Sequence, residues 1–140
     1  MAEFKITISD PKTGKSYNKV LDTDIFKRKK IREKVLGDAL GLKGYELEIT
    51  GGSDTSGFAM RYDIEGTAKK KALLTGGVGV TITRKGSRMR KTVRGNEISL
   101  ETAQVNLKIV KYGTKPVEEI FGTKKEEGKT EEAPKEEGKK

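Results

Sequence analysis

Residues 1–122 predict a mainly β fold: a small barrel-like or sandwich domain of short antiparallel strands with one short helix, followed by a disordered tail over residues 123–140. Three observations carry this. Apolar and polar side chains alternate in three short stretches, around Phe4-Ile6-Ile8, Tyr45-Leu47-Ile49 and Val105-Leu107-Ile109, the period-two mark of a half-buried strand. Glycine punctuates the chain between them at short intervals, as in small all-β folds. After Gly122 the composition changes: residues 123–140 hold no Leu, Ile, Val, Phe or Tyr, and Lys-Glu-Glu-Gly-Lys occurs at 125–129 and again at 135–139. Such a segment cannot offset an ordering cost of roughly 1–2 kcal/mol per residue.

The elements follow in order. Glu3 to Ser9 is a strand with Phe4, Ile6 and Ile8 on one face. Asp10-Pro-Lys-Thr-Gly14 is a turn, Pro fixing φ and Gly allowing positive φ. Lys15 to Leu21 returns as the second strand of a hairpin, with Tyr17 and either Val20 or Leu21 inward. Asp22, Thr23 and Asp24 offer N-cap oxygens for a short helix, in which Ile31 with Val35 and Leu36 with Leu40 have i, i+4 spacing. Gly37 weakens that helix, and Gly41 and Gly44 end it. Tyr45 to Thr50 is a strand and residues 51–61 a loop. Lys71 to Thr75 and Val78 to Thr83 read as two short strands across Thr75-Gly-Gly77. Glu101-Thr-Ala103 reads as a tight turn, Gln104 to Lys111 as a strand, and Pro116 to Phe121 as a single helical turn.

The chain is 140 residues long, enough for one small domain. It has no Cys and no His, which excludes thiol nucleophiles, disulfides, Cys/His zinc sites and histidine-based acid–base catalysis. Apolar runs are too short to span a membrane, and no signal-peptide core follows Met1. A soluble cytoplasmic protein is the expectation.

Charge is unevenly placed. Lys and Arg number 30 against 21 Asp and Glu, a net of +9. Residues 123–140 carry six Lys and six Glu, so the whole excess lies in residues 1–122. Between Glu65 and Glu97 no acidic residue occurs, yet the stretch holds nine cations: Lys69, Lys70, Lys71, Arg84, Lys85, Arg88, Arg90, Lys91 and Arg94. A field of one sign repels itself unless a polyanion neutralises it, which points to nucleic acid. Arg can fork onto two phosphate oxygens or stack on bases, while Lys adds point charge. Gly86 and Gly95, bracketing the Arg-rich part, let the backbone approach an RNA chain. No Phe or Tyr lies between Glu65 and Glu97. That argues against single-strand base stacking and favours folded RNA recognised through phosphates and shape. Free in solution, the arm is expected to be mobile. A second run, Lys27-Arg28-Lys29-Lys30 with Arg32 and Lys34, is either a helix face on the same polyanion or a solvated face.

The remaining motifs read as structure. Thr13-Gly-Lys-Ser16 resembles the end of a phosphate-binding loop, but Ser9 stands where the pattern needs Gly, so a hairpin turn is expected. Gly76-Gly-Val-Gly79 lacks the dinucleotide-loop spacing and reads as a turn or bulge. Asp54 is one carboxylate where calcium wants six or more oxygens, and is expected to hold its loop by a side-chain hydrogen bond. Glu46 and Glu48 alternate with apolar residues and belong on the solvent face. No catalytic residue, metal, cofactor or small-molecule substrate is expected.

Four segments in order give the chain a family likeness: residues 4–15, Phe-Lys-Ile-Thr-Ile-Ser-Asp-Pro-Lys-Thr-Gly-Lys; residues 41–54 followed by Gly57, Phe58 and Met60; residues 90–99, Arg-Lys-Thr-Val-Arg-Gly-Asn-Glu-Ile-Ser; and residues 105–111, Val-Asn-Leu-Lys-Ile-Val-Lys. Together they resemble the archaeal and eukaryotic small-subunit ribosomal proteins of the S-six-e type, over about residues 1–121. Ala59 stands where that family's loop reads Gly-Phe-Pro-Met, and Arg28 and Arg32 lie where the family often carries Gly. The neutral Lys/Glu tail resembles the short archaeal form; eukaryotic members carry a long basic helix. The resemblance implies a structural constituent of the small (30S) ribosomal subunit near the foot of the particle. Its partners would be small-subunit ribosomal RNA and neighbouring ribosomal proteins, and it would have no enzymatic activity. The alternative is a general nucleic-acid-binding module, such as a chromatin protein or RNA chaperone, not tied to the ribosome.

Overall fold

Alternation in the first strand becomes burial: in β1 (Phe4–Ser9) Phe4, Ile6 and Ile8 are fully buried and the residues between them are not. The structure is a computed structural model describing residues 4–21 and 24–122. The turn after β1 is held by Asp10, whose carboxylate accepts from the Lys12 backbone N–H (2.9 Å), the Thr13 hydroxyl (2.9 Å) and the Tyr112 hydroxyl (2.6 Å). Gly14 takes φ +70° there, as a tight turn requires. The hairpin closes with β2 (Ser16–Leu21), in register from Phe4–Leu21 to Ser9–Ser16. Tyr17 packs against the core, whereas Val20 is exposed.

The expected helix before Gly41 is replaced by other structure. Asp24–Phe26 and Gly37–Leu40 are single 3-10 turns, with a three-residue strand, β3 (Lys34–Leu36), before the second turn. The i, i+4 spacings are coincidental: Val35 is buried between exposed Lys34 and Leu36, a strand pattern. Helical phase is also broken by Arg28 and Arg32, which adopt φ +65° and +73°. The N-cap expected at Asp22 and Thr23, and the tail expected over 123–140, lie outside the described residues.

The strand expected at 45–50 is longer. β4 (Glu46–Asp54) continues through the glycine pair, with register shifts at Ile49/Gly51 and Ser53/Asp54. Gly52 is required there, because a Cβ would sit 2.3 Å from the Gln104 carbonyl oxygen. β5 (Lys69–Leu74) is present, but its partner is not Val78–Thr83. It pairs with β6 (Met89–Arg94), and residues 75–88 form the connection. Gly77 and Gly79, at φ +92° and +83°, turn the chain out of any strand path. The last strand is β7 (Thr102–Lys111), and α1 (Val117–Gly122) is the short helix.

The main sheet has the order β2-β1-β7-β4-β3, with β1 and β7 parallel and the other pairs antiparallel. It is open and not closed into a barrel. Its buried face, including Ile6, Leu47, Ile49, Val105 and Leu107, packs with Phe26, Leu40, Leu42, Tyr45, Ile98 and Val117. Removing these side chains from water supplies the main stabilising term. Phe121 of α1 stacks on Tyr17 at 5.1 Å between ring centroids, and Lys15 reaches Glu118 at 2.6 Å. The Lys of the Thr13-Gly-Lys-Ser16 turn therefore ties the first hairpin to α1. β5 and β6 form a separate two-stranded sheet.

Candidate nucleic-acid interface

The β5–β6 hairpin gathers the acid-free stretch into one object, and its register decides where each cation goes. Lys69 pairs with Arg94, Lys70 with Val93, Lys71 with Thr92, Ala72 with Lys91, Leu73 with Arg90 and Leu74 with Met89. Directly paired residues share a face. One face therefore carries Lys69, Lys71, Arg90 and Arg94, and the other Lys70 and Lys91.

At the base of the hairpin the cations are neutralised. Asp54, at the end of β4, places Oδ2 2.8 Å from both Lys69 Nζ and Arg94 Nη1. Arg94 Nη1 also lies 3.0 Å from Glu101, and Nη2 donates to the Ser99 hydroxyl at 2.6 Å. Arg94 is 2% exposed and Asp54 3%. Burial pushes the Asp54 carboxyl up, but hydrogen bonds from Lys69 and Thr55 together with the Arg94 charge outweigh it and hold the pKa below the usual carboxylate range. Asp54 also accepts from the Thr55 backbone N–H and hydroxyl, so it holds its loop as expected from sequence. The end of β6 is fixed by two more bonds, Arg94 N–H to the Ala59 carbonyl and Arg61 N–H to the Arg94 carbonyl. Gly95 has a different reason for being glycine than approach to RNA: a Cβ would lie 1.9 Å from the Gly66 carbonyl oxygen.

Beyond the base the pattern reverses. Lys70, Lys71, Arg84, Lys85, Arg88, Arg90 and Lys91 are all exposed. Among the described residues none of the seven takes part in an ion pair, while Lys69 and Arg94 of the same hairpin do. Gly86, at φ +78°, has open space where a side chain would stand.

Two residues outside the acid-free stretch, Arg61 and Phe58, lie against this hairpin. Arg61 forks onto Asp63, with Nε and Nη2 each 2.9 Å from a carboxylate oxygen. Its Nη1 donates to the carbonyls of Gly76 (3.2 Å) and Val78 (2.7 Å), pinning the connection after β5. The Arg-x-Asp spacing was the only signal of the fork. Phe58 lines a cleft of about 430 Å³ together with Lys71, Arg90 and Lys91. No local sequence pattern places it there.

The second basic run is neither a helix face nor uniformly solvated. It runs beside residues 96–98, with Arg28 N–H donating to the Ile98 carbonyl and Ile31 N–H to the Asn96 carbonyl, both at 3.0 Å. Lys27 and Arg28 share a cleft of about 620 Å³ with Lys69, Glu97 and Glu101. Arg32 lies 4.2 Å over the Tyr62 ring, and Lys29 pairs with Glu33.

Comparison with known proteins agrees with the likeness seen in the sequence. A family model described as ribosomal protein S6e matches residues 4–122. Among similar proteins is the small ribosomal subunit protein eS6 of Methanocella arvoryzae, 46% identical over 132 residues that span 91% of this chain and 93% of that protein. The protein of the same name from Archaeoglobus fulgidus is 48% identical over 128 residues, 89% of this chain and 99% of its own length. That from Methanocaldococcus jannaschii is 46% identical over 122 residues, 87% and 93% of the two chains.

Proposed function

The chain belongs to the ribosomal protein S6e family, and from that premise we propose that it is a structural constituent of the small ribosomal subunit, bound to folded ribosomal RNA through the β5–β6 hairpin. Lys70, Lys71, Arg84, Lys85, Arg88, Arg90 and Lys91 neutralise phosphates. Lys69 and Arg94, engaged with Asp54, set the angle at which the hairpin leaves the body. The observation that carries this reading is the set of seven exposed cations without a carboxylate partner among the described residues. Self-repulsion of such a set is relieved by a polyanion, and counterion release drives the association. The work is scaffolding, with no chemical step, in the cytoplasm where the archaeal ribosome operates.

The test is binding of the full chain to small-subunit ribosomal RNA across a salt titration. Log K falls by roughly 0.7–0.9 per phosphate contact for each tenfold rise in salt. Changing the seven cations to Ala flattens that slope and leaves thermal unfolding near the parent value. An unchanged slope in the variant refutes the hairpin as the contact. Equal affinity for unrelated duplexes, with loss from the small subunit in high-salt washes, favours a general nucleic-acid module instead.

A further inference from the structure

We propose that the cleft between the 56–59 loop and the β5–β6 hairpin takes a single unpaired RNA nucleotide, its base stacked on Phe58 and its flanking phosphates held by Lys71 and Arg90, which share one face of the hairpin. This deepens the RNA-binding reading above and rests on it.

The acid-free stretch contains no aromatic residue, so by itself it has only phosphate contacts to offer. The fold changes that. Phe58, from a distant part of the sequence, lines the same cleft as three cations of the hairpin. The cleft, about 430 Å³, is of the size that holds small ligands, roughly 300–1,000 Å³. Its aromatic wall is built without help from a ligand. The Phe58 carbonyl accepts from Asp54 N–H at 2.9 Å, and Gly57 N–H donates to the Asp54 carbonyl at 2.9 Å. Lys69 donates to the Ser56 hydroxyl at 3.2 Å while it engages Asp54. Gly79 in the lining packs tightly where the loop meets the hairpin: a Cβ there would meet Val93 Cγ1 at 3.2 Å and Ala59 Cβ at 3.5 Å.

The chemistry of the lining selects the ligand. Lys71 and Arg90, on one face and without carboxylate partners among the described residues, call for more than one phosphate. A half-buried phenyl ring beside them calls for a flat apolar surface, which a phosphate lacks. An RNA nucleotide supplies both, and the Thr92 hydroxyl in the lining can bond its base edge or 2′-hydroxyl. A base inside a duplex is already stacked on its neighbours, so the occupant is a bulged or looped nucleotide.

The chain has no Trp, so Phe58→Trp introduces the sole indole, whose emission is quenched by a stacked base. The probes are an RNA hairpin with one bulged adenosine and the same hairpin fully paired. The bulged RNA quenches and the paired RNA does not, although anisotropy shows both bound at low salt. In the parent chain the bulged RNA binds more tightly. Phe58→Leu removes that preference, by roughly 5- to 150-fold for one lost base stack. Affinity for the paired RNA and thermal unfolding stay as they were. Equal quenching by both RNAs, or binding of both without quenching, overturns the base pocket and leaves the cationic hairpin standing. Failure of either RNA to bind at low salt overturns the hairpin reading and this one with it. Quenching by free AMP at the RNA concentrations used overturns the assignment to RNA in favour of a free nucleotide.

Discussion

At the base of the β5–β6 hairpin two cations, Lys69 and Arg94, meet the carboxylates of Asp54 and Glu101; further out Arg84, Lys85, Arg88, Arg90 and Lys91 meet none among the described residues. All seven belong to one sequence segment of one sign, and composition does not tell them apart. Partnering does. A guanidinium 2% exposed between two carboxylates contributes to the fold, because its desolvation is compensated within the protein. An exposed guanidinium without a partner contributes little to the fold and keeps its hydrogen-bonding capacity for a ligand. On the function proposed above, the difference between the two regions gives stability to one and binding to the other, and each half of that proposal can be broken separately.

The largest effect is expected at the base. Asp54→Asn keeps the shape but removes the charge facing Arg94 and Lys69, leaving the buried guanidinium with Glu101 alone. Deleting one partner of a buried pair typically costs about 3–5 kcal/mol, and the retained Glu101 contact puts the expected loss near the lower end, about 3 kcal/mol in urea unfolding. The loss depends on pH. The folded-state pKa of Asp54 is lowered, so its contribution is present above the ordinary value of 3.8 and is lost as pH falls through the folded value. The gap between parent and variant therefore narrows below pH 3.8. A gap that is constant with pH, or a loss under 1 kcal/mol, would place Arg94 with the exposed cations and erase the contrast.

A smaller effect sharpens the boundary of the base. Arg28 and Arg32 both hold left-handed backbone conformations, which cost a non-glycine residue about 1–2 kcal/mol. Glycine relieves this but adds freedom to the unfolded chain, worth roughly 0.5–1 kcal/mol. Arg28→Gly is therefore expected to stabilise by about 0.5 kcal/mol. Arg32→Gly also gives up the stacking on Tyr62, about 0.5–1 kcal/mol, and is expected to gain nothing. Thermal unfolding of the two variants side by side decides it. Equal gains would mean that the Arg32–Tyr62 contact has no energetic weight.

How much of this was legible in sequence depended on where each residue's partner lies. β1, β7 and the first half of β4 were visible because their alternation reports a neighbouring layer that covers one face. β6 was not, because Met89–Arg94 reads as a solvated basic loop unless Asp54 is known to sit opposite Arg94, forty positions away. β3 was masked by spacings that suit a helix equally well, and the break in helical phase at Arg28 and Arg32 is signalled only by the Gly that the resembled family often carries there. Gly95 was assigned to close approach by RNA, whereas the close approach is by the Gly66 backbone. In the candidate interface the cations are legible in sequence as a group. Their division into paired and unpaired is not, nor is the arrival of Phe58, since both are products of long-range packing.

The smallest expected effect has the most informative sign. Arg88→Gln with Arg90→Gln removes two charges from the far end of the hairpin and leaves shorter, neutral polar side chains. If those cations serve binding alone, their loss does not weaken the fold, and surface changes of this kind stay within about 0.5 kcal/mol. Mutual repulsion predicts more than neutrality. At low ionic strength the remaining cations sit in a weaker like-charged field, so the variant unfolds at the parent temperature or slightly above it. At 1 M salt the Debye length shrinks to about 3 Å and any gain disappears. The Asp54→Asn loss, being buried, persists under the same conditions. A tip variant that loses more than about 1 kcal/mol, or whose loss resists salt, would show that Arg88 or Arg90 is held by the protein and not reserved for RNA. The hairpin would then be a structural arm along its whole length, and the interface would have to be sought beside Lys27 and Arg28.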